Sequence, residues 1–414
     1  MDDILARQLY KSDTEDNPIY QTILHHAITA IGSIAKEYPA PTGKPRGWEK
    51  VFQRALEKAL QALEAVPNSA VVKDATRFLF QRLVSCLGPA ILPYLPTTLS
   101  HLMASRQASD VVDLLPLITQ LLFRFQDTIF PVLNQLMSAL LELLFVFLRQ
   151  EPQKIVIEST GAIVNSYETL QLLELQRAYV SLIFSIMTCG QGAVFTSEAN
   201  LGHFEAVLNS LIRLAMEDDP QVQKHCFGSL AKMIELWGEP PASVPGTTGP
   251  VEVNGKPHGL AGFNQFILQR ILPLCFQLPF KRSFNLHDGQ AYLVSHALSF
   301  LPSGKGADIE VLFFYFFLFS ACFKILGEIC SLKKLMFQKL GPAFLQYLQV
   351  TFLPSVGLAP QANTEYLQAL QASDAKAFTK YFKVCCYPTY FFCSTETDHV
   401  PSFENFRCLS NPKK

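Results

Sequence analysis

The sequence lacks the residue spacings that mark most enzymes and metal sites. Its 414 residues contain no GxSxG nucleophile turn, no HExxH helix and no glycine-rich dinucleotide fingerprint. Ten cysteines are present, but none forms a CxxC pair, and no His-x-x-x-His spacing occurs. We therefore expect a protein without enzymatic activity, with no catalytic residues, no cofactor and no bound metal.

Signs of secretion are absent as well. No Asn-x-Ser/Thr acceptor for N-linked sugar occurs, and Asp2 and Asp3 stand where a signal peptide would carry basic residues. We expect no signal peptide, and an intracellular chain whose thiols stay reduced.

The longest hydrophobic run is too short to cross a bilayer. Val311–Phe323 (VLFFYFFLFSACF) would span about 20 Å as a helix, against a hydrocarbon core of about 30 Å. Asp308, Glu310 and Lys324 lie close to its ends. We expect no stable membrane insertion. The opposite hypothesis, a small membrane-tethered helical protein, rests on this run alone.

What the sequence has throughout is apolar residues at helical spacing. In the segment 51–66 they recur at steps of one, three and four: Val51, Phe52, Ala55, Leu56, Ala59, Leu60, Leu63 and Val66. A helix with one apolar stripe cannot bury that stripe alone, so a long series of such helices must stack. Pairs of helices at about 35–45 residues per repeat predict an all-α fold, a HEAT-type helical-repeat superhelix (an armadillo-like α-solenoid).

The same spacing predicts where helices begin and end. The predicted helices are 19–36, 48–66, 69–87, 99–105, 110–124, 128–148, 166–188, 201–216, 220–237, 263–276, 286–301, 325–347, 366–370 and 374–384. Asp219-Pro220 supplies a side-chain cap and a first-turn proline, and Gly238 supplies a stop. We expect HEAT-type repeats over 1–238, a Pro/Gly-rich loop over 239–262 that acts as a hinge, and C-terminal helical repeats over 263–383.

Charge is unevenly distributed, although the formal net charge is only −1. Residues 1–254 carry 19 Lys and Arg against 26 Asp and Glu, whereas residues 255–383 carry 12 against 6. The second part therefore attracts a polyanion that the first part repels.

Basic residues of the second part are candidate phosphate contacts. Lys376, Lys380 and Lys383 fall at i, i+4 and i+7 in the last predicted helix, whereas Phe378 and Phe382 face the other way. The other candidates are Arg270, Lys281, Arg282, Lys333, Lys334 and Lys339. A solvated helix face is the ordinary explanation of such charges, and phosphate contact without base readout is the sharper hypothesis.

Six strings, taken in order, resemble the exportin-T family of the importin-β superfamily. They are ILPYLPTTLSHLM (91–103), DLLPLITQLLFRFQDTIFPVLNQLM (113–137), DPQVQKHCFGSLAKMIELWG (219–238), ILPLCFQLPFKRSFNLHDGQA (271–291), GPAFLQYLQVTFLPSVGLAP (341–360) and YLQALQASDAKAFTKYFKV (366–384). Each string is weak alone, but together they run collinearly over most of residues 1–383.

The resemblance implies a nuclear export receptor that binds tRNA cooperatively with Ran–GTP. It also implies passage through the nuclear pore on FG-repeat nucleoporins, shuttling between nucleus and cytoplasm, and a family chain roughly twice as long, of which this is the C-terminal portion. The alternative is a protein-binding HEAT-repeat scaffold or importin-like adaptor with no RNA cargo.

Two stretches depart from the family pattern. Residues 297–324, which include the apolar run, interrupt the C-terminal repeats, and residues 384–414 form a divergent tail. Both are rich in Phe, Tyr and Cys and poor in helix signals. We hypothesise that they are translated intron or read-through sequence, or an unusual splice form.

Peptide mass spectrometry of the endogenous protein tests this hypothesis. We expect chymotryptic peptides from 325–347 and none from 297–324 or 384–414, because the family pattern passes over both stretches. Peptides recovered from both stretches would refute the hypothesis.

Overall fold

The structure is a computed structural model whose described residues form two compact units, Met1–Val207 and Leu208–Lys414. The described residues are 17–38, 47–103, 107–150, 154–156, 163–239, 251–253, 256–281, 284, 307–358, 360–372 and 374–385.

The first unit consists of helices, two 3₁₀ turns and one small hairpin. Its elements are α1 (Pro18–Ala35), α2 (Trp48–Ala65), α3 (Ala70–Leu87), a 3₁₀ turn (Gly88–Tyr94), α4 (Leu95–Met103), α5 (Ala108–Phe125), a 3₁₀ turn (Gln126–Ile129), α6 (Phe130–Leu148), β1 (Lys154–Val156), β2 (Ile163–Asn165), α7 (Tyr167–Thr188) and α8 (Ala193–Thr196). Helix α9 (Leu201–Ala215) crosses the boundary between the units.

The second unit continues with helices and a second hairpin. Its elements are α10 (Pro220–Trp237), β3 (Val251–Val253), β4 (Lys256–His258), α11 (Phe263–Phe266), a π turn (Ile267–Ile271), α12 (Leu272–Gln277), a 3₁₀ turn (Leu278–Phe280), α13 (Ala307–Tyr347), a π turn (Leu348–Phe352), α14 (Leu353–Ser355), α15 (Pro360–Gln371) and α16 (Ala375–Cys385). Helix α13 is kinked at Gly341, whose φ is +59°.

Within each unit, helices pack on their neighbours and on the helices next to those. In the first unit α1 lies on α3 and α5 on α7, and in the second unit α13 packs against α10, α15 and α16. Stacked helix pairs that touch only nearby repeats are the hallmark of helical-repeat proteins. The predicted all-α helical-repeat fold is therefore confirmed.

The ends of α10 follow the prediction, with one difference in mechanism. Asp219 Oδ1 accepts hydrogen bonds from the N–H groups of Gln221 and Val222 at 2.9 and 3.1 Å. Gly238 ends the helix with an extended backbone, φ −65° and ψ 127°, not with a left-handed one. A Cβ at Gly238 would lie 2.6 Å from the Ile234 carbonyl oxygen, so close approach selects glycine here.

Some elements differ from the sequence prediction. Helix α15 begins at Pro360, six residues before the predicted start, because proline suits the first helical turn. Neither antiparallel hairpin, β1–β2 or β3–β4, was predicted, since three-residue strands are too short to show alternation. The predicted helix 286–301 lies outside the described residues.

A close helix crossing in the first unit depends on Gly32. Helices α1 and α3 pack along most of their length, and a Cβ at Gly32 would lie 2.8 Å from the Phe78 ring and 3.2 Å from Leu79 Cα. Any larger residue would push the two backbones apart, so this glycine sets the spacing between the first stacked pair.

Both π turns of the second unit precede a proline. Pro273 and Pro354 lack an N–H for the carbonyl four residues earlier, and their rings crowd that carbonyl. These carbonyls belong to Gln269 and Val350, which lie inside the π turns, so the wider turn relieves the crowding.

The Pro/Gly-rich loop is tied together at its base. The Leu260 N–H donates to the Trp237 carbonyl at 2.9 Å. The Asn264 side chain accepts from the Glu239 N–H at 3.0 Å and donates to the Glu239 carbonyl at 3.1 Å. These bonds join the end of α10 to the start of α11 at the base of the loop, and the hinge role of the loop stays a prediction.

Two helical stretches in the first unit are long and apolar enough to cross a membrane. They are Ala70–Met103 and Ala108–Leu148. Core helices of helical-repeat proteins pass the same test, and the apolar side chains of both stretches are largely packed inside the unit. Val311–Phe323 lies within α13, but its side chains are outside the described part of the chain.

A buried ion pair joins α3 to α5. The Lys73 ammonium, 2% exposed, lies 2.9 Å from Asp110 Oδ2, whose side chain is 10% exposed. One turn further along α3, the Arg77 guanidinium pairs with Asp113 at 2.9 Å and also with Asp74. Because both charges are buried, the pair favours one register of the two helices.

Removing the Lys73 charge should destabilise the first unit. In Lys73→Met the Asp110 carboxylate stays buried without its ammonium, and we expect a loss of about 3 kcal/mol in the free energy of unfolding. Urea denaturation followed by far-UV circular dichroism measures it. The control Lys50→Met, at an exposed position, should change it by less than about 0.5 kcal/mol. An unchanged midpoint for Lys73→Met would show that the pair is not needed.

Candidate nucleic-acid interface

Helix α16 separates its basic and aromatic residues onto two faces. Phe378 and Phe382 are buried, whereas Lys376 and Lys380 are exposed. Asp374 Oδ1 accepts the Lys376 N–H at 2.8 Å and so caps the helix start. Lys383 belongs to the same helix, but its side chain lies outside the described part. Two of the three predicted stripe lysines therefore point toward solvent.

Arg270 is the third exposed cation among the candidates. It lies in the π turn that leads directly into α12, and its side chain is exposed. Arg282 falls outside the described residues. In the described part of the second unit, Arg270, Lys376 and Lys380 are thus the candidates whose charges face water.

Three candidate lysines bind the carboxyl ends of helices instead. Lys281 Nζ donates to the Met216 carbonyl at 2.6 Å, just beyond α9, and pairs with Asp218. Lys339 Nζ donates to the Glu235 carbonyl at 2.7 Å in the last turn of α10. The last carbonyls of a helix lack intrahelical donors and carry partial negative charge, so a lysine there is stabilising.

Lys334 is the third of these helix-end lysines. Its Nζ donates to the Ala372 carbonyl just past the end of α15, and it lies 5.8 Å from the centroid of the Phe378 ring. Only 8% of Lys334 is exposed. The structure thus uses Lys281, Lys334 and Lys339 to hold helices together, which the sequence analysis did not anticipate.

Lys333 is not a surface residue at all. It is 0% exposed, and its Nζ lies 3.5 Å from the centroid of the Phe276 ring and 3.3 Å from that of Phe382. The Tyr366 ring is 5.7 Å away. The electron-rich faces of aromatic rings attract a cation, which compensates part of its lost hydration. This corrects the sequence-based assignment, because a buried ammonium cannot contact phosphate.

A sequence signal for the burial of Lys333 did exist. Leu326, Ile329, Cys330 and Met336 are all buried, and Lys333 falls between them at helical spacing on the same face of α13. Lys333 and Lys334 were both predicted to be phosphate contacts, although neighbours in a helix point about 100° apart.

Two buried cysteines near Lys333, Cys275 and Cys330, have thiols with raised pKa values. Burial raises the pKa of the Cys275 thiol from 9.0 to about 12 and that of Cys330 to about 11, and the Lys333 charge offsets part of each rise. Both thiols therefore stay protonated near neutral pH. Within the part of the chain that the structure describes, no group of three or more His, Cys, Asp or Glu residues is placed to hold a metal ion.

These features define an α-helical repeat protein whose candidate contacts are surface cations. A family model described as Exportin-T matches residues 2–303 and 320–389 of the chain. The chain belongs to the exportin-T family.

Curated relatives share the match along nearly the whole chain. Exportin-T of Laccaria bicolor is 30% identical over 391 residues, which cover 92% of this chain and 32% of the relative. Exportin-T of Mycosarcoma maydis is 28% identical over 364 residues, which cover 86% of this chain and 28% of the relative. Exportin-T of Pongo abelii is 28% identical over 384 residues, which cover 92% of this chain and 34% of the relative. The chain spans about a third of the length of these relatives, less than the half that the resemblance implied.

The family match leaves out two segments. Residues 304–319 are unmatched and fall within the stretch 297–324 that departs from the family pattern. The match ends at residue 389, five residues after the start of the predicted divergent tail.

Proposed function

We propose that this chain is part of a nuclear export receptor for tRNA that binds its cargo cooperatively with Ran–GTP. The observation that carries the proposal is the family match, which covers most of the chain. Because the chain spans about a third of its relatives, its own share of the binding is proposed here and not the whole cycle of transport.

The charge of residues 255–383 supports an RNA cargo. Residues 255–383 carry twice as many basic as acidic residues, and Arg270, Lys376 and Lys380 are exposed. Lysine and arginine that neutralise phosphates release condensed counterions, which supplies affinity without reading bases. A folded RNA can be recognised by shape and backbone in this way.

Passage through the pore and regulation by Ran belong to the same proposal. In it the receptor contacts FG-repeat nucleoporins, shuttles between nucleus and cytoplasm, and releases tRNA when Ran hydrolyses GTP. Stacked repeats change shape by small rotations between neighbours, so a ligand that favours one arrangement shifts the whole population. These steps rest on family membership alone.

A protein-binding scaffold is the second candidate function. The observation in its favour is a groove of about 290 Å³ between α1 and α2 in the first unit. The groove is lined by apolar side chains: Ile31, Ile34, Tyr38, Trp48, Val51, Phe52 and Ala55. Such a lining suits an apolar protein segment and offers little to a phosphate backbone.

Fluorescence anisotropy of labelled mature tRNA separates the two functions. For an RNA cargo we expect binding that weakens steeply with salt, with a log–log slope of about 0.7–0.9 for each phosphate neutralised. Ran–GTP should strengthen the binding. An unstructured RNA of equal length is the control, and equal binding of both RNAs at every salt concentration would contradict a tRNA receptor.

The exposed lysines of α16 provide a second test. In Lys376→Gln/Lys380→Gln we expect weaker tRNA binding and a salt slope that is smaller by about 2, because each lysine contributes about one phosphate contact. Lys36→Gln/Lys50→Gln is the matched control, since both lysines are exposed on the acidic first unit. Equal losses in the two variants would show that α16 has no special part in binding.

A further inference from the structure

We propose that the buried Lys333 ammonium and the Phe382 ring are positioning residues for RNA binding. Together they fasten α16 to its unit and so hold Lys376 and Lys380 toward the cargo. The inference rests on the proposed tRNA function and deepens it, because it explains how an 11-residue helix presents its charges.

Helix α16 needs an external contact to hold its shape. It has 11 residues, and isolated helices of that length are marginal in water. Its buried anchors are Phe378 and Phe382, whose rings stack 6.1 Å apart. Tyr366 of α15 lies 5.7 Å from the Phe378 ring, so α15 and α16 share one aromatic cluster.

Lys333 joins this cluster to α13 and α12. Its ammonium lies 3.3 Å from the centroid of the Phe382 ring of α16 and 3.5 Å from that of the Phe276 ring of α12. The two ring centroids are 5.9 Å apart, so one buried cation contacts both rings. Three helices thus converge on a single charge.

Because this charge is buried, each ring that faces it helps to compensate its lost hydration. An ammonium taken out of water is costly unless something compensates it, and a leucine in place of Phe382 would keep apolar bulk but remove the π face. Replacing both the lysine and the ring with apolar residues removes the cost altogether, since no charge is left to compensate.

The cluster also fixes which way the lysines of α16 point. Lys380 and Phe382 are two residues apart on the helix, so their side chains diverge by about 200°. When Phe382 is held against Lys333, Lys380 must face solvent. Lys334 adds a second link, since it donates to the Ala372 carbonyl immediately before α16.

A double-mutant cycle tests the proposal with hydrogen exchange and tRNA anisotropy on the full chain. In Phe382→Leu we expect amide exchange in 375–385 to speed up by about tenfold, because Lys333 loses one of its rings. Affinity for tRNA and the salt slope should fall to the values of Lys376→Gln/Lys380→Gln. In Phe382→Leu/Lys333→Met we expect both readouts to return to within about threefold of the parent.

Phe227→Leu, a buried ring of α10, is the matched control for lost ring volume and should leave exchange in 375–385 unchanged. If amide exchange and tRNA affinity changed equally in Phe382→Leu and in the double variant, the proposal would be overturned, because apolar packing alone would then fasten α16. Faster exchange without a change in tRNA affinity would overturn the positioning role. A parent chain that binds no tRNA would overturn the proposed function, whereas the exchange data would still decide how α16 is fastened.

Discussion

The longer helices that the structure describes each have an apolar stripe that another helix must cover, and both units are built around that constraint. Of the residues at helical spacing in 51–66, Phe52, Leu56, Ala59, Leu60 and Leu63 form the buried side of α2, whereas Val51 at its start is 66% exposed. The stripes are covered by neighbouring helices and by the helices next to those, as where α1 lies on α3. Where the stripes of α1 and α3 approach each other closely, the sequence has Gly32, since even a methyl group would meet Phe78.

Within these apolar stripes, the two units bury a lysine in different ways. Lys73 faces a carboxylate at 2.9 Å, and Lys333 faces aromatic rings at 3.3 and 3.5 Å. Both arrangements compensate a cation that has left water, and both make one helix depend on another. Ion pairing joins α3 to α5, whereas the ring contacts join α13 to α12 and α16. Buried charge therefore selects which helices pack together, because apolar contacts alone would not distinguish one helix from another.

The sequence was sufficient to predict most of the described helices, but not where the side chains of the basic residues lie. Helix α13 is an exception, because it begins at Ala307, 18 residues before the predicted start at 325. Periodicity located α2, α6 and α10 because one face of each is apolar and local caps such as Asp219 mark the start. It could not show that Lys281 and Lys339 reach carbonyls 65 and 104 residues away, since such contacts depend on how helices stack. Lys333 was misplaced for a different reason, because its spacing relative to Ile329 and Met336 already favoured burial.

The positions of these lysines bear on the proposed binding of RNA. Helix ends hold Lys281, Lys334 and Lys339, and rings hold Lys333, so the described part of the second unit leaves few candidate cations facing water. Three phosphate contacts would give a salt slope of only about 2–3, far below that of a receptor that tracks a long backbone. The relatives are about three times as long as this chain. In the proposed function, strong binding of a polyanion would therefore be shared among many repeats, each of which contributes a few oriented charges.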